Sequence, residues 1–387
     1  MAPAPINVGV VHASPVFMNK EKTVDKCVAY IKEAGQKGLD LLVFPETFLP
    51  CYPFFAMVYP PVTYTKVMPD YIEQSVRMDG PEVATISAAC REARVAVVLG
   101  VSERAPDGTN TIFNSQFFFD KDGTFLGSHR KLQPTFMERS VWGQGSGHTL
   151  RTFAVQDGYC LGGLICWEHT MNLARHSLAQ QGIQVHAAAW PSYSTLEGFP
   201  EGAPDAQIEC LMKSHAMSAQ TFVLAASCPV DETCLEWMKE KLGPQHLIGL
   251  GGGWSGIVSP WATHISGPVL GYGDRLLTAR LDFESVLPLA SWVDSAGHYG
   301  RPEVLKLTVD DSPTWCYDTA SIHKDHPKAA YGAPRRTASQ ISPPVKQTPE
   351  PLLVAGGPAK RITNGDTDAH AHNKVPIKQL ASIGATA

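Results

Sequence analysis

Short apolar runs alternate with amphipathic stretches over most of the 387-residue chain, and this alternation predicts an α/β protein. Continuous apolar runs are typical of strands that are buried on both faces. They occur at residues 6–11, 41–44, 95–101, 160–165, 185–190, 222–227, 256–259 and 276–281. Residues 114–119 and 124–128 flank an Asp-Lys-Asp-Gly turn signal, so we expect them to form a hairpin.

Helices are expected between these strands. The segment after the first strand places four apolar residues on one helical face: Val24, Cys27, Val28 and Ile31. Further helices are predicted at residues 81–94, 171–181 and 205–219, the first of them with Pro81 at its start. Strands this apolar need helices on one face and a second sheet on the other, which indicates a layered sandwich.

The alternation stops near Thr314. Residues 319–387 are rich in Pro, Ala, Ser, Thr and Lys and show no sustained periodicity. Prolines interrupt any helix there, at Pro343, Pro344, Pro349, Pro351 and Pro358. We therefore expect residues 1–318 to form the folded domain and residues 319–387 to form a disordered C-terminal tail.

Composition narrows the choice of partners and compartment. The 32 basic and 37 acidic residues give a net charge of −5, which argues against nucleic acid or an anionic membrane as a partner. No apolar run approaches the roughly 18 residues of a membrane span, and the N-terminus lacks the pattern of a secretion signal. The nine cysteines have no paired spacing, so we expect reduced thiols and a cytoplasmic protein.

The segment around Cys166 predicts a strand, a sharp turn and a helix. An apolar run ends at Cys166, and Trp167, Glu168 and His169 follow before the helical segment begins. A thiol at such a turn is exposed at the end of a rigid strand, beside the positive end of the helix dipole. Because free cysteines more often fill the core than act as nucleophiles, this segment alone slightly favours a structural Cys166.

Two other segments reverse that preference. Glu46 ends an apolar run between Phe44 and Phe48, and partial desolvation there raises a carboxyl pKa toward the range of a general base. A basic cluster ending at Lys131 follows the second strand of the predicted hairpin and leads to Glu138. Taken alone, that basic cluster predicts a solvated loop.

Together the three segments resemble the nitrilase superfamily, the carbon–nitrogen hydrolases. The matching phrases are Phe-Pro-Glu at Glu46, Arg-Lys-x-x-Pro-Thr-x-x-Glu-Arg at Lys131 followed by Val-Trp-Gly-Gln-Gly, and Cys-Trp-Glu at Cys166. They are similar to the true nitrilase branch, and the resemblance spans about residues 6–310.

The resemblance implies a fold, an assembly and a catalytic triad. The implied fold is an α-β-β-α sandwich whose helices pack against a second subunit, in homo-oligomers that extend from dimers to spirals. The implied triad is Glu46, Lys131 and Cys166. Glu138 matches a second glutamate of the family that positions Lys131 or the substrate.

On this resemblance, the expected reaction is hydrolysis of an organic nitrile to a carboxylic acid and ammonia. A nitrile carbon is a weak electrophile, so it needs a strong nucleophile such as a Cys166 thiolate. Lys131 and a backbone N–H after Cys166 would stabilise negative charge on nitrogen, while Glu46 would transfer protons. The expected partners are a small nitrile and water, and no metal or organic cofactor enters this scheme.

Alternative functions stay open from the sequence. An amide hydrolase, or a nitrile-hydrating enzyme that releases amide, would use the same Glu-Lys-Cys triad. An inactive binding or scaffold protein would be expected to have lost at least one of Glu46, Lys131 and Cys166, and all three are present.

Four aromatic residues are candidates for substrate binding: Tyr52, Trp167, Trp190 and Tyr193. Three of them follow strand ends and one follows Cys166, but packing in the core is an equally good interpretation.

Other motifs are weaker. For Glu168, a structural ion pair and a functional role are equally supported, and His169 suits capping or packing better than a role as base. The glycines of residues 251–256 match G-x-G-x-x-G, but a strand rather than a helix follows, so we reject a dinucleotide site and expect close backbone approach. The cysteines lack the spacing of a zinc site.

The helices at residues 171–181 and 205–219 have apolar faces, which belong either to the core or to a contact with a second subunit. The first face contains Leu173, Ala174 and Leu178. The family resemblance favours a homo-oligomer. On that basis a charge at an exposed apolar position of these helices, such as Leu178→Asp, is expected to lower both particle mass and activity.

Overall fold

The computed structural model describes residues 2–106, 109–312, 314 and 315. The strands are β1 (Ile6–His12), β2 (Leu41–Val43), β3 (Ala96–Arg104), β4 (Ile112–Phe119), β5 (Phe125–Arg130), β6 (Phe153–Ala154), β7 (Cys160–Ile165), β8 (Val185–Pro191), β9 (Phe222–Cys228), β10 (Trp254–Val258), β11 (His264–Leu270) and β12 (Arg275–Leu281). The helices are α1 (Lys20–Gln36), α2 (Phe55–Val58), α3 (Pro61–Tyr64), α4 (Met68–Gln74), α5 (Pro81–Ala93), α6 (Asn172–Gln180), α7 (Ala203–Ala219), α8 (Glu232–Leu242) and α9 (Leu287–Ala290).

The strands form two six-stranded sheets of the same plan. The first has the order β12-β1-β2-β3-β4-β5, and the second has the order β11-β10-β9-β8-β7-β6. In each sheet three central strands run parallel, β1 to β3 and β7 to β9, and the outer strands pair antiparallel. Since parallel strands end at the same edge, the loops after β2 and β7 leave the carboxyl edges of their sheets.

The two sheets face each other across an apolar core, and helices cover their outer faces. Between the sheets, Val10 of β1 belongs to the same buried cluster as Leu161 of β7. Ile31 of α1 and Ile86 of α5 pack on the outer face of the first sheet, and Ile208 of α7 packs on the second. Each fully buried aliphatic side chain contributes about 1.5–3 kcal/mol relative to an exposed one. These layers confirm the expected α-β-β-α sandwich.

Some elements of the structure were not predicted from the sequence. Strand β11 lies at the edge of its sheet and is largely exposed, so few of its side chains are apolar and buried. Helix α8 was also missed, although Asp231 caps it by accepting a hydrogen bond from the N–H of Cys234 at 2.9 Å. None of the helices in the described part of the chain is long and apolar enough to cross a membrane. The predicted tail, residues 319–387, lies outside the described residues.

The choice of Leu178 as an exposed position is wrong. Leu178 is 0% exposed and packs with Leu164 of β7, whereas Leu173 is 68% exposed. With 3.6 residues per helical turn, positions 174 and 178 share the inner face of α6 and position 173 points outward. A charge at Leu178 would therefore disrupt the core instead of testing assembly.

Candidate active site

Glu46 lies in the turn that follows β2 and is completely buried. Gly100 on the neighbouring strand β3 lets this turn approach closely, since a Cβ there would lie 2.0 Å from the carbonyl oxygen of Pro45. Thr47 has a φ of 39°, in the left-handed region that β-branched residues rarely adopt. The turn is therefore tightly constrained, and it holds the Glu46 carboxylate inside the protein.

Lys131 follows β5 directly and is also buried. Its N–H donates to the carbonyl of Asn114 at 2.8 Å, and its own carbonyl accepts from the N–H of Gly145 at 2.8 Å. A Cβ at Gly145 would lie 2.2 Å from the carbonyl oxygen of Arg130, so only glycine allows this approach. Because Arg130 is buried as well, the basic cluster is not the solvated loop that it suggested in isolation.

Cys166 occupies a strained turn between β7 and a short 3₁₀ segment, Cys166–Thr170. Its φ is 57°, in the left-handed region, which costs of order 1–3 kcal/mol for a residue with a Cβ. The strand, turn and helix around Cys166 are those expected from the sequence, but the expectation of an exposed thiol is wrong, because the side chain is completely buried. Such strain is typical of a nucleophile held at the end of a strand.

Glu168 connects the Cys166 turn to the Lys131 segment. Its carboxylate accepts from the N–H of Ile165 at 2.9 Å and from the N–H of Leu132 at 2.8 Å. These two residues immediately precede Cys166 and follow Lys131. Glu168 also pairs with the buried imidazole of His129 at 3.0 Å, which favours the structural interpretation of this glutamate.

Three charged side chains surround the Cys166 thiol in one buried cluster. The Lys131 ammonium donates to Glu46 Oε1 at 2.9 Å and to Glu138 Oε2 at 2.7 Å. The Cys166 Sγ and one oxygen of each glutamate lie within 4.8 Å of one another. The structure thus brings together the four residues predicted as catalytic. Although the two carboxylates and the thiol are metal-ligand types, the Lys131 ammonium already takes the position between the carboxylates that a cation would need.

Each carboxylate oxygen of Glu138 accepts two hydrogen bonds. Its Oε1 accepts from the Tyr52 hydroxyl at 2.7 Å and from the Tyr193 hydroxyl at 3.2 Å. Its Oε2 accepts from the N–H of Thr135 at 2.8 Å in addition to Lys131. This arrangement suits a residue that fixes its neighbours better than one that takes up a proton.

The four aromatic candidates lie at different distances from the thiol. The Tyr193 hydroxyl lies 3.5 Å from Cys166 Sγ and 3.0 Å from the Tyr52 hydroxyl, so both tyrosines border the thiol. The Trp167 ring is half-buried, with its centroid 6.1 Å from that of Tyr193. Trp190 is fully buried in the layer beneath α7, where core packing explains its position.

Burial makes the thiol a weak acid and Glu46 a suitable base. Burial, reinforced by Glu46 and opposed by Lys131, raises the pKa of Cys166 well above its ordinary value, so the thiol needs a proton acceptor at neutral pH. Burial also raises the pKa of Glu46 to about 7, against the lowering influence of Lys131. Burial alone would lower the pKa of Lys131, but Cys166, Glu138 and Glu46 together raise it, and the ammonium stays charged.

One oxygen of Glu46 is free to accept a proton. Oε1 accepts from Lys131 and from the Asn114 side-chain amide at 2.6 Å, whereas Oε2 has no hydrogen-bond partner within the described residues. Asn114 was not identified from the sequence as a site residue. The available signal was a polar residue inside the apolar strand β4, a pattern that buried structural amides share.

Comparison with known proteins gives consistent matches. Residues 7–290 match the family model described as carbon-nitrogen hydrolase. An aliphatic nitrilase of Rhodococcus rhodochrous is 35% identical over 323 residues, 82% of this chain and 87% of the relative. A nitrilase of Pseudomonas syringae pv. syringae (strain B728a) is 34% identical over 312 residues, 81% of this chain and 92% of the relative. The crystal structure of Saccharomyces cerevisiae Nit3, a member of the nitrilase superfamily, has a TM-score of 0.60 at 19% identity, covering 79% of this chain and 98% of that chain, and shows a shared fold.

Proposed function

Because the chain belongs to the carbon-nitrogen hydrolase family, we propose that it is a nitrilase in which Cys166 is the nucleophile. The enzyme hydrolyses an organic nitrile to the carboxylic acid and ammonia. The observation that carries the residue assignment is the buried contact of Lys131 with Glu46 and Glu138 beside the Cys166 thiol.

The first half of the reaction forms a thioimidate. Glu46 Oε2 takes the thiol proton while Sγ of Cys166 bonds to the nitrile carbon, and one C–N π bond becomes a lone pair on nitrogen. The Lys131 ammonium stabilises this charge, and Glu46 returns its proton to the nitrogen. Because the thiol, the carboxylate and the ammonium already lie together, little reorganisation precedes the attack.

The second half consumes two waters. Glu46 removes a proton from the first water, whose hydroxide adds to the thioimidate carbon, and returns that proton to the nitrogen. The proton of the new hydroxyl then moves through Glu46 to the nitrogen, the C–N bond breaks, ammonia leaves, and the C=O of a thioester on Cys166 forms. A second water, deprotonated by Glu46, attacks the thioester carbon; the C–S bond breaks, the carboxylic acid leaves, and Glu46 returns the proton to the Cys166 sulfur. Glu138, which accepts from the Lys131 ammonium at 2.7 Å, positions that ammonium.

A product analysis tests this function. The purified protein is incubated with aliphatic, aromatic and arylacetic nitriles and with the matching amides, while ammonia, acid and amide are measured separately. We expect nitrile consumption with acid and ammonia in equal amounts. Conversion of amides alone would instead identify an amide hydrolase, and amide as the sole product would identify a nitrile-hydrating enzyme.

The pH dependence of kcat/KM is expected to follow Glu46. The base must be ionised, so kcat/KM should rise with pH through about 7, the pKa of Glu46, and level off above it. The hydrogen bond from Asn114 lowers that pKa, so Asn114→Leu should move the rise to higher pH. Gln116→Leu is the control, because this amide lies on the same strand but donates to the carbonyl of Ala187. An unchanged profile in Asn114→Leu would show that another group controls the rate.

We also propose that the protein works as a homo-oligomer assembled through α6 and α7. Three large apolar side chains there face outward: Met171, Leu173 and Met217. A cavity of about 500 Å³ lies beside them, lined by residues of α6, α7 and the segment 295–307. A second subunit would cover this apolar surface.

Leu173→Asp is the appropriate test of assembly, because this side chain is exposed in the single chain. We expect light scattering to show a lower particle mass for the variant, and we expect its activity to fall together with the particle mass. Val62→Asp, at a position that is 89% exposed on α3, controls for an added surface charge and should change neither quantity. Full activity of a monomeric Leu173→Asp protein would refute the link between assembly and catalysis.

Localisation in the cytoplasm is part of the proposal. All eight cysteines within the described residues are free. A thiol nucleophile and many free cysteines suit a reducing compartment.

A further inference from the structure

Three buried histidines form a continuous chain of hydrogen bonds that the reaction scheme does not use. His169 follows Cys166 in the 3₁₀ turn, His186 lies on β8 and His215 lies on α7. His169 Nδ1 lies 2.7 Å from the carbonyl oxygen of Cys166. His169 Nε2 lies 2.9 Å from His186 Nε2, and His186 Nδ1 lies 3.1 Å from His215 Nε2.

The carbonyl at one end fixes the proton position on every ring. A carbonyl only accepts, so Nδ1–H of His169 must donate to Cys166, and in a neutral ring its Nε2 then accepts. His186 therefore donates through Nε2–H, and its Nδ1 accepts from Nε2–H of His215. Burial lowers the pKa of all three, that of His169 to about 4, so the rings are neutral near pH 7. His215 Nδ1 ends the chain without a partner among the residues that the structure describes.

The chain of three histidines acts on the peptide group that joins Cys166 to Trp167. In a trans peptide the N–H points opposite to the C=O, so a bond that holds the Cys166 carbonyl also sets the direction of the Trp167 N–H. Trp167 is the second residue of its 3₁₀ turn, where an N–H lacks a carbonyl partner within the turn. The φ of 57° at Cys166 is unfavourable, so this peptide orientation needs support from its surroundings.

We propose that His169, His186 and His215 are positioning residues that hold the Cys166–Trp167 peptide so that its N–H donates to the substrate nitrogen during attack. This role rests on the proposed nitrilase reaction, in which that nitrogen gains negative charge. The ring of His169 is further fixed by stacking on Trp190, with ring centroids 5.2 Å apart and planes 18° from parallel. His186 supports this tautomer of His169 by donating to its Nε2, and His215 supports that of His186 by donating to its Nδ1.

Substitutions at His169 separate positioning from packing. His169→Leu removes the donor and should lower kcat by about 100-fold, the typical loss for one misplaced charge-stabilising donor, with KM nearly unchanged. His169→Asn returns an amide donor near the place of Nδ1 and should restore at least half of the wild-type kcat. His186→Leu should lower kcat less than His169→Leu, because the Cys166 contact remains. His12→Leu removes a buried histidine bonded to Ser255 and Gly271 instead, and it should lower thermal stability with kcat retained.

The tautomers give an independent readout. Nitrogen NMR of histidine-labelled wild-type protein should show a neutral Nδ1–H ring for His169 and neutral Nε2–H rings for His186 and His215, each assigned by loss of its signals in a His→Asn variant. A charged ring, or the opposite tautomers, would overturn the proposal. So would a His169→Leu protein with normal kcat, or equal losses in His169→Leu and His169→Asn. A wild-type protein that turns over no nitrile would count against the proposed function. The tautomer measurement would still show whether the three histidines form the proposed chain of hydrogen bonds.

Discussion

Cys166→Ser is expected to lower nitrile turnover by about 10⁴-fold or more, in the range seen when a catalytic nucleophile is removed. Serine nearly preserves the shape of the side chain, so the protein should fold normally. The hydroxyl has a far higher pKa than the thiol, and Glu46, with a pKa of about 7, cannot ionise it effectively. Turnover should be followed as ammonia release, with circular dichroism on the same sample.

Two other buried cysteines provide controls for the loss of a thiol. Cys90 lies on α5 and Cys51 lies in another apolar cluster, and both are fully buried. Cys90→Ala and Cys51→Ala should lower stability and keep the chemistry, since neither thiol reaches the charged cluster. Near-normal rates in Cys166→Ser would remove Cys166 from the nucleophile role.

Lys131→Met is expected to have the second largest effect, on both activity and stability. Loss of the ammonium removes the charge that stabilises the developing anion, a loss of about 3 kcal/mol or more in the chemical step. Lys131 also holds down the pKa of Glu46, so in the variant that pKa rises above about 7 and the base is protonated at neutral pH. The same change leaves two acidic side chains buried without their cation, at a cost of about 3–5 kcal/mol in folding.

A double variant separates the catalytic loss from the folding loss. Lys131→Met with Glu138→Gln removes one buried charge of each sign and should regain much of the lost stability in chemical denaturation. It should remain inactive, because no cation faces the substrate nitrogen. An active double variant would show that Lys131 acts only in folding.

The main fold layers and the candidate catalytic residues could be predicted because each signal is local. Continuous apolar runs identify the buried strands that end before Glu46 and Cys166, and the hairpin pattern identifies the strand that ends before Lys131. The sequence could not show that these ends converge, since the contact of Lys131 with Glu46 joins residues 85 positions apart. The family motifs bridged that gap for the triad and for Glu138.

Residues that act through tertiary contacts escaped prediction. Asn114 is a polar residue in an apolar strand, and only the folded chain places its amide against Glu46. His186 likewise stands alone as a polar residue in β8, whereas His215 is one of several polar residues in α7. Their link to His169 depends on how α7 packs on the sheet. Leu178 was misjudged for the same reason, because a helical pattern gives an apolar face without saying what covers it.

The mass of the protein during turnover tests most directly whether Cys166 is the nucleophile. The enzyme is mixed with a nitrile and quenched in acid within one turnover, and the intact protein and its peptides are weighed. If Cys166 is the nucleophile, the peptide that contains Cys166 gains a mass equal to the thioimidate or thioester, and this added mass disappears as acid and ammonia form. Turnover without any adduct at Cys166, or with an adduct on another cysteine, would contradict that role.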